Sequence, residues 1–212
     1  MTQRIRLFAD PGVIAAALAL AAAPDWRPSW NIAPGREVLA VLRDRQGGRG
    51  GRRLRWGLDP APGSFNQAAE TIDAEPAWQH GRRCLIVTDG YYEWRPGHGQ
   101  PYAVARMKRQ LCVLAGLCAE GVGSIAACTV VTVPANELMG TINDRMPAIL
   151  PLADWPIWLG ETPATPDGAR VLLKPYPSDD MMLWPVNKRL NDTANDDAAL
   201  CGPLSPTTRV HA

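Results

Sequence analysis

The stretch Arg82–Trp94 (RRCLIVTDGYYEW) holds one acid after its central turn, Glu93, between two aromatic residues. The apolar run Cys84–Val87, bounded by arginines on one side and Thr-Asp-Gly on the other, predicts a buried strand. Side chains alternate along a strand, so Glu93 shares a face with Tyr91 and lies opposite the two rings that flank it. An acid among large rings loses solvation, which raises its pKa and suits a general acid or base. A surface glutamate at the end of a strand is the alternative.

Other catalytic patterns do not occur in the sequence. It contains no G-x-x-x-x-G-K-[ST] phosphate loop, no G-x-G-x-x-G turn after a strand and no H-E-x-x-H zinc motif. His80, His98 and His211 are scattered, so neither a Ser-His-Asp nor a Cys-His arrangement can be built from spacing alone. The sequence therefore predicts neither a metal nor an organic cofactor.

Charge and cysteine content limit the partners and the compartment. The formal net charge is +1 over 212 residues, so a nucleic acid or a membrane would have to be met by a local patch. The five cysteines form no C-x-x-C pair, and an odd count predicts a reducing compartment without a disulfide framework. We therefore expect a cytoplasmic protein with no membrane association.

The alanine-rich run Val13–Ala23 is the longest apolar stretch considered as a membrane or export segment. It has eleven residues, which is too short to cross a bilayer. Asp10 as N-cap, Pro11 at the first helical position and Pro24 at the end predict a buried helix instead. The basic start Met1–Arg6 leaves a secretion leader as the alternative.

The remaining pattern predicts an α+β fold. Twenty prolines and nineteen glycines favour many turns and short elements. Strands are predicted at Gln3–Phe8, Glu37–Leu42, Ala126–Val133, Val171–Lys174 and Met182–Val186, with a hairpin of Pro101–Arg106 and Gln110–Ala115. Short helices are predicted at Glu75–His80, Glu137–Ile142 and Asp154–Leu159. We expect one domain over residues 1–212, with mostly antiparallel strands in a barrel-like sheet and a loose tail from about residue 204.

The segment Arg43–Arg53 (RDRQGGRGGRR) is unusual in composition, with five arginines and one acid. Glycine at this density is difficult to hold in one conformation, which predicts a flexible basic loop at a hairpin tip. A mobile basic finger that contacts phosphates is the alternative.

Eight segments, in this order, resemble the successive blocks of the SOS response-associated peptidase family, also called the abasic-site processing family (SRAP domain). They are Trp30–Gly35 (WNIAPG), Leu54–Leu58 (LRWGL), Asn66–Thr71 (NQAAET), Arg82–Trp94, Leu114–Leu117 (LAGL), Thr129–Asn136 (TVVTVPAN), Asn143–Leu150 (NDRMPAIL) and Trp184–Asn187 (WPVN). The resemblance spans the chain from Arg4 to about Pro203. It implies a single SRAP-like domain.

The resemblance also implies a chemistry. Proteins of this family bind single-stranded DNA at abasic sites, where a cysteine at position 2, freed of the initiator methionine, meets the open-chain sugar aldehyde. The amine of that cysteine forms an imine and its thiol closes a thiazolidine ring, which leaves a stable DNA–protein crosslink over the lesion. An asparagine, a proton-shuttling glutamate and a histidine surround the cysteine. The resemblance thus implies peptidase and lyase activity in DNA repair, without a cofactor.

Several positions match the family's functional residues. Asn66 and Glu93 match the asparagine and the glutamate, while Arg4 and Arg145 match two arginines that hold DNA. The resemblance further implies DNA contacts from the blocks that contain Asn31 and Trp56.

Other positions depart from the family pattern. Thr2 stands where the family has the cysteine, Asn143 replaces the histidine, and Ala68 replaces a phosphate-binding arginine. The loop at 59–64 (DPAPGS) is short and lacks the usual Pro-Ser-Trp wedge, and the stretch before Trp78 lacks an expected Phe-Arg. A threonine hydroxyl is a much poorer partner than a thiolate, and asparagine carries no proton near neutral pH.

These departures predict a divergent family member, with the enzyme activity left open. The first hypothesis is a monomer that binds abasic single-stranded DNA more weakly than its family, associates with the nucleoid when bound, and cannot form the stable crosslink. The second is an active N-terminal-amine enzyme, in which Thr2 and Glu93 support a transient imine, β-elimination or autoproteolysis. The third is a binding or scaffold protein without catalysis.

Overall fold

The computed structural model describes residues 2–44, 46–58, 65–119 and 126–204. Met1, the short loop predicted at 59–64, His211 and nearly all of the predicted tail lie outside these residues. The described residues form twelve strands: β1 Arg4–Leu7, β2 Ser29–Ile32, β3 Glu37–Arg43, β4 Arg49–Trp56, β5 Asn66–Ala68, β6 Arg83–Thr88, β7 Gly90–Trp94, β8 Pro101–Arg106, β9 Cys112–Ala119, β10 Ala127–Pro134, β11 Arg145–Pro147 and β12 Met181–Pro185. Their short helices are α1 Pro11–Leu18, α2 Pro76–Gln79, α3 Glu137–Gly140, α4 Trp155–Trp158 and α5 Pro166–Arg170.

Five strands close into a barrel. The order is β10-β4-β3-β6-β9, and β9 pairs back onto β10. Strands β6, β9 and β10 are buried along almost their whole length, as expected where one face lines the barrel and the other is covered. The short strands β11 and β5 add to β10 outside the ring. The predicted α+β fold with a barrel-like sheet is therefore confirmed for this part of the chain.

A second sheet of five strands, in the order β12-β8-β7-β1-β2, packs beside the barrel. The chain passes from β6 of the barrel to β7 of this sheet at Gly90, whose φ is 146°. A Cβ atom there would lie 2.2 Å from the carbonyl oxygen of Val104, so the crossing requires glycine. Asp89 accepts the backbone N–H groups of Phe8 and Ala9, which ties the end of β1 to the same turn.

Two apolar cores hold the layers together. The larger core joins the barrel to the inner face of the second sheet, where Ile5, Leu7 and Tyr91 are buried. The smaller one lies on the outer face of that sheet and includes Tyr92, Leu190 and Leu200. The segment that follows β12 therefore covers the second sheet from outside.

The segment Arg43–Arg53 forms the predicted hairpin between β3 and β4, but most of it is strand, which corrects the prediction of a flexible loop. β3 continues to Arg43 and β4 begins at Arg49, its partner in the antiparallel register. Asp44 closes the turn between them by accepting two backbone N–H groups. The composition argument was wrong because extended glycines still make ladder hydrogen bonds with a neighbouring strand.

The hairpin predicted from Pro101–Arg106 and Gln110–Ala115 is also wrong. The two segments form β8 and β9, but β8 belongs to the second sheet and β9 to the barrel. Lys108 and Arg109, with φ values of 57° and 53°, turn the chain from one sheet to the other. Local spacing predicts two strands correctly but does not indicate which sheet each one joins.

Two further elements differ from the prediction: a predicted strand is a turn, and helix α1 is shorter than expected. Val171–Lys174 is a turn after α5, with local hydrogen bonds from Leu173 to Arg170 and from Lys174 to Leu172. Helix α1 has the predicted Asp10 cap but ends at Leu18, well before Pro24, because Ala19 adopts a left-handed conformation. It is also less buried than predicted, since only Ile14 and Leu18 are fully enclosed.

No helix in the described ranges combines the length and the apolar character needed to span a membrane.

Candidate functional site

Four residues named from the sequence meet at one place. The hydroxyl of Thr2 donates a hydrogen bond to Oε1 of Glu93 at 2.7 Å, and the amide of Asn143 donates to Oε2 at 3.1 Å. The amide of Asn66 donates to the carbonyl oxygen of Thr2 at 2.7 Å. Both oxygens of the glutamate are therefore occupied by groups that come from distant parts of the chain.

The two sheets position these side chains jointly. Glu93 lies on β7, which pairs with β1 so that Arg4 is opposite Tyr92, and the residues before Arg4 therefore run alongside the end of β7, where Thr2 reaches Glu93. Asn66 starts β5, which runs parallel to β10 of the barrel. Asn143 lies between α3 and β11, the strand that pairs with the end of β10. The site thus forms at the junction of the barrel and the second sheet.

The electrostatics of Glu93 follow from its burial. Its exposed fraction is 1 %, and loss of solvation raises the pKa of its carboxyl group above the ordinary value, although hydrogen bonds from Thr2 and Asn143 act in the opposite direction. The raised pKa agrees with the prediction made from the sequence. A raised pKa makes the carboxylate of Glu93 a stronger base than an exposed glutamate, which suits a group that accepts and returns a proton.

Two buried polar atoms near Thr2 have no hydrogen-bond partner in the described part of the chain. They are Oδ1 of Asn66 and Nε of Arg4. Arg4 is half-buried, and its guanidinium carbon lies 5.9 Å from the ring centroid of Trp94, next to Glu93 in sequence. Burial lowers the pKa of this arginine. Buried polar atoms without a partner are uncommon in folded proteins.

Arg145 is held by the protein itself. Its guanidinium group makes a two-pronged ion pair with Glu70, at 2.9 and 3.1 Å, and also donates to the side chain and the carbonyl oxygen of Thr132. These contacts use most of its donors, so in this arrangement Arg145 clamps β10, β11 and the segment after β5 together. Sequence reasoning missed Glu70, because a partner 75 residues away leaves no local signal.

Asn31 and Trp56 make their side-chain hydrogen bonds to described residues outside the four-residue cluster. Asn31 is buried in β2, and its amide donates to three backbone carbonyls of the segment 190–195. Trp56 has no exposed surface, and its indole N–H donates to the carbonyl oxygen of Phe65. The ring of Trp56 is therefore part of the core, where it cannot contact DNA.

Among the described residues, no group of three or more histidine, cysteine or acidic side chains is arranged to hold a metal ion. Four of the cysteines are buried within the strands of the barrel and do not belong to the cluster around Glu93. They are Cys84, Cys112, Cys118 and Cys128.

A closed barrel joined to a second sheet, with a threonine–glutamate pair buried at the junction, defines an α+β protein whose site is built around the start of its chain. Over residues 1–193 the chain matches the family described as SOS response associated peptidase (SRAP), and it belongs to that family.

Similar proteins are known from bacteria and vertebrates. The abasic site processing protein YoqW of Bacillus subtilis (strain 168) is 33% identical over 195 residues, which cover 83% of this chain and 86% of YoqW. The abasic site processing protein HMCES of Xenopus tropicalis is 28% identical over 231 residues, which cover 82% of this chain and 68% of that protein.

Solved structures show the same fold. A phage-related protein from Bordetella bronchiseptica superimposes with a TM-score of 0.70 at 27% identity, covering 87% of this chain and 94% of that one. A protein from Bacteroides thetaiotaomicron superimposes with a TM-score of 0.77 at 19% identity, covering 95% and 99% of the two chains. At that low identity the second comparison shows the fold alone.

Proposed function

We propose that this chain is an abasic-site processing protein that binds single-stranded DNA at the lesion but does not form the stable thiazolidine crosslink of its family. The observation that carries the proposal is Thr2, whose hydroxyl rather than a thiol lies against Glu93 at 2.7 Å. Family membership and the names of the relatives support the role in abasic-site processing.

The chemistry follows from the difference between oxygen and sulfur. Where Met1 is removed, the α-amine of Thr2 adds to the sugar aldehyde and loses one water to give an imine. Addition of the threonine hydroxyl to the imine carbon, with its proton passing to the nitrogen, gives an oxazolidine. A hydroxyl is a weaker nucleophile than a thiolate, and water reopens such a ring readily, so the adduct is short-lived.

The surroundings of the cluster support binding of DNA with reduced affinity. Oδ1 of Asn66 and Nε of Arg4 are buried without partners and could be satisfied by a sugar and a phosphate. The family's phosphate-binding arginine is replaced by Ala68, and Arg145 is paired with Glu70. Fewer free arginines mean fewer released counterions, hence weaker binding and a flatter dependence on salt. This role would place the protein, as a monomer, on nucleoid DNA.

A second candidate function is a lyase that works through the transient imine. The hydrogen bond from the Thr2 hydroxyl to Glu93 and the raised pKa of the glutamate support it, because β-elimination needs a proton acceptor near the residue that forms the imine. The imine acidifies the neighbouring C–H of the sugar, a base removes that proton, and the 3′ phosphate leaves by β-elimination. Hydrolysis of the imine then releases the protein, so one chain would act on many lesions.

Incubation of the purified protein with a single strand that carries one abasic site tests both candidates. The mass of the intact protein first establishes whether Thr2 is the N-terminal residue. We expect no adduct on a denaturing gel, and an adduct only when borohydride reduces the imine during the incubation. A stable adduct without borohydride would contradict the first proposal, and strand cleavage that E93Q abolishes would identify the lyase.

A further inference from the structure

A cavity of about 250 Å³ opens between the second sheet and the barrel, on a side of the molecule that the Glu93 cluster does not use. Its walls come from the segment before β2, from β2 itself, from the start of β3, from Arg53 in the second half of β4, and from Asp196. Ile5 pairs with Ile32 on one side and Tyr91 on the other, so β2 and β7 flank β1. From strand spacing and register, the cavity lies roughly 15 Å from Glu93.

Two arginines of this cavity are free to meet an anion. Arg27 and Arg36 line it, are exposed, and make no side-chain hydrogen bond or ion pair within the described residues. Arg53, by contrast, is paired with Asp25 and with Glu37. Guanidinium groups carry several N–H donors each and are well suited to bind phosphate oxygens.

The carboxylates in the walls are already engaged. Asp196 accepts hydrogen bonds from the hydroxyl of Ser29 and from the backbone N–H groups of Trp30 and Asn31. Glu37 faces Arg53 at 3.5 Å. Both carboxylates are therefore bound by other groups of the protein, whereas Arg27 and Arg36 are unpaired in the described chain and can bind a ligand.

The cavity also offers a ring and an unpaired acceptor. The indole of Trp26 is half-buried and held in place by its N–H, which donates to the carbonyl oxygen of Leu7. Asn31 is 5% exposed and lines the cavity. Its amide nitrogen binds the backbone of 190–195, while its Oδ1 is buried without a partner in the described chain.

We propose that this cavity binds one nucleotide unit of the single strand next to the lesion. Arg27 and Arg36 hold its phosphate, and its base lies against Trp26, with an exocyclic amine that donates to Oδ1 of Asn31. The small volume fits one base rather than a longer segment, and base–aromatic contact is a general means of holding single strands. The inference rests on the proposed function and adds a second contact region to it.

The test uses a strand of about 15 nucleotides, within the range of known single-strand sites, with a tetrahydrofuran abasic analogue that cannot form an imine. Fluorescence anisotropy measures the dissociation constant over a series of salt concentrations. We expect the R27A/R36A variant to bind about tenfold more weakly at low salt and to reduce the slope of log K against log salt by about 0.7, the value for one lost phosphate contact on a single strand. R82A/R109A, which removes two exposed arginines elsewhere, controls for net charge and should keep the slope.

Shortening the strand separates a local contact from a general effect. The wild type should bind less tightly when the DNA strand is shortened on the side of the lesion that reaches the cavity. The R27A/R36A variant should bind the long and the shortened strands equally. The second contact region would be contradicted if R82A/R109A lost as much affinity as R27A/R36A, or if R27A/R36A still bound the shortened strand less tightly than the long one. Neither result would contradict the proposed function. Failure of the wild type to bind any strand would contradict the proposed function and this inference with it. Binding of free dAMP as tightly as the full strand would indicate a site for the free nucleotide and contradict a strand contact.

Discussion

Glu93 experiences two opposed influences at the scale of a single side chain. Burial between the sheets disfavours its negative charge, while Thr2 and Asn143 each donate a hydrogen bond to one of its oxygens. Burial is the larger influence, so the pKa of the carboxyl group is raised above its ordinary value. The buried carboxyl group therefore weakens the fold wherever it is charged.

The raised pKa predicts a pH-dependent stability difference between the wild type and E93Q. The glutamate has an ordinary value near 4.5 when unfolded, and its value is higher in the folded chain. Its contribution is thus fully present below the unfolded pKa and is lost as the pH rises through the folded one. We expect the free energy of unfolding of the wild type to fall relative to E93Q as the pH rises from the unfolded pKa, near 4.5, through the higher folded one.

Urea unfolding at several pH values measures this difference. E137Q, which changes an exposed glutamate, serves as the matched control and should show no comparable trend. If the free energies of unfolding of the wild type and E93Q differ by the same amount at every pH, the folded chain does not raise the pKa of Glu93.

Restoring the family residue at position 2 should restore the crosslink. T2C places a thiol where the hydroxyl of Thr2 now contacts Glu93, so the imine can close to a thiazolidine. We expect T2C to form an adduct with abasic single-stranded DNA that persists on a denaturing gel. T2C/N143H should form it faster, because histidine carries a proton near neutral pH.

The serine variant T2S is the control, since it keeps a hydroxyl and should form no persistent adduct. Mass spectrometry establishes that each variant has lost Met1 before the comparison is made. A T2C protein with a free N-terminus and no adduct would show that the site no longer admits the sugar aldehyde.

At the scale of elements, the crossing from β6 to β7 decides where Glu93 lies. Gly90 combines a φ of 146° with contact to the carbonyl of Val104, so G90A should destabilise the protein by more than about 3 kcal/mol. Gly81 has a φ of 65° and open space where a Cβ would lie, so G81A should cost only about 1 kcal/mol. Chemical unfolding measures the free energy of unfolding of both variants. Equal losses of stability in G90A and G81A would show that contact with the Val104 carbonyl does not cause the loss in G90A.

The clamp formed by Arg145 gives a second prediction at this scale. R145A removes hydrogen bonds to Thr132 as well as the ion pair with Glu70, and should cost about 1–3 kcal/mol. E70Q removes only the charge of a partly exposed partner and should cost less than about 1 kcal/mol.

The pH dependence of the stability lost in E70Q tests whether Glu70 stabilises the fold through its ion pair with Arg145. The pKa of Glu70 is lowered mainly by its hydrogen bond with Arg145, so the stabilisation is present above the unfolded pKa and lost as the pH falls. A larger loss in E70Q than in R145A would show that the charge, rather than the hydrogen bonds to β10, holds the elements together.

At the scale of the whole molecule, burial predicts which thiols react. Cys84, Cys112 and Cys128 are fully buried; desolvation raises the pKa of Cys112 to about 12, and the pKa values of the other two are also raised. Cys201 is only half-buried. Brief alkylation of the native protein should therefore modify Cys201 first, as read by peptide mass spectrometry, with the others reacting after unfolding. Native labelling of Cys112 at the rate of Cys201 would contradict the closed barrel.

Local patterns located most of the strands, including β6, β10 and β12, because apolar runs between turn residues must be buried whatever they pack against. They failed at Arg43–Arg53 and at the β8–β9 connection, where pairing with distant strands overrides composition. They also identified Thr2, Asn66, Glu93 and Asn143 through the family resemblance, but as four separate positions.

The sequence by itself determined which residue types are available: an acid among rings, a threonine in place of the family's cysteine, and no cofactor motif. Only the tertiary structure decided that Thr2 and Asn143 bind the two oxygens of Glu93, that Trp56 is core, and that Arg145 is held by Glu70. The reason is physical, because strand register and sheet crossover bring together residues far apart in the chain, and burial then sets their pKa values and their access to a ligand.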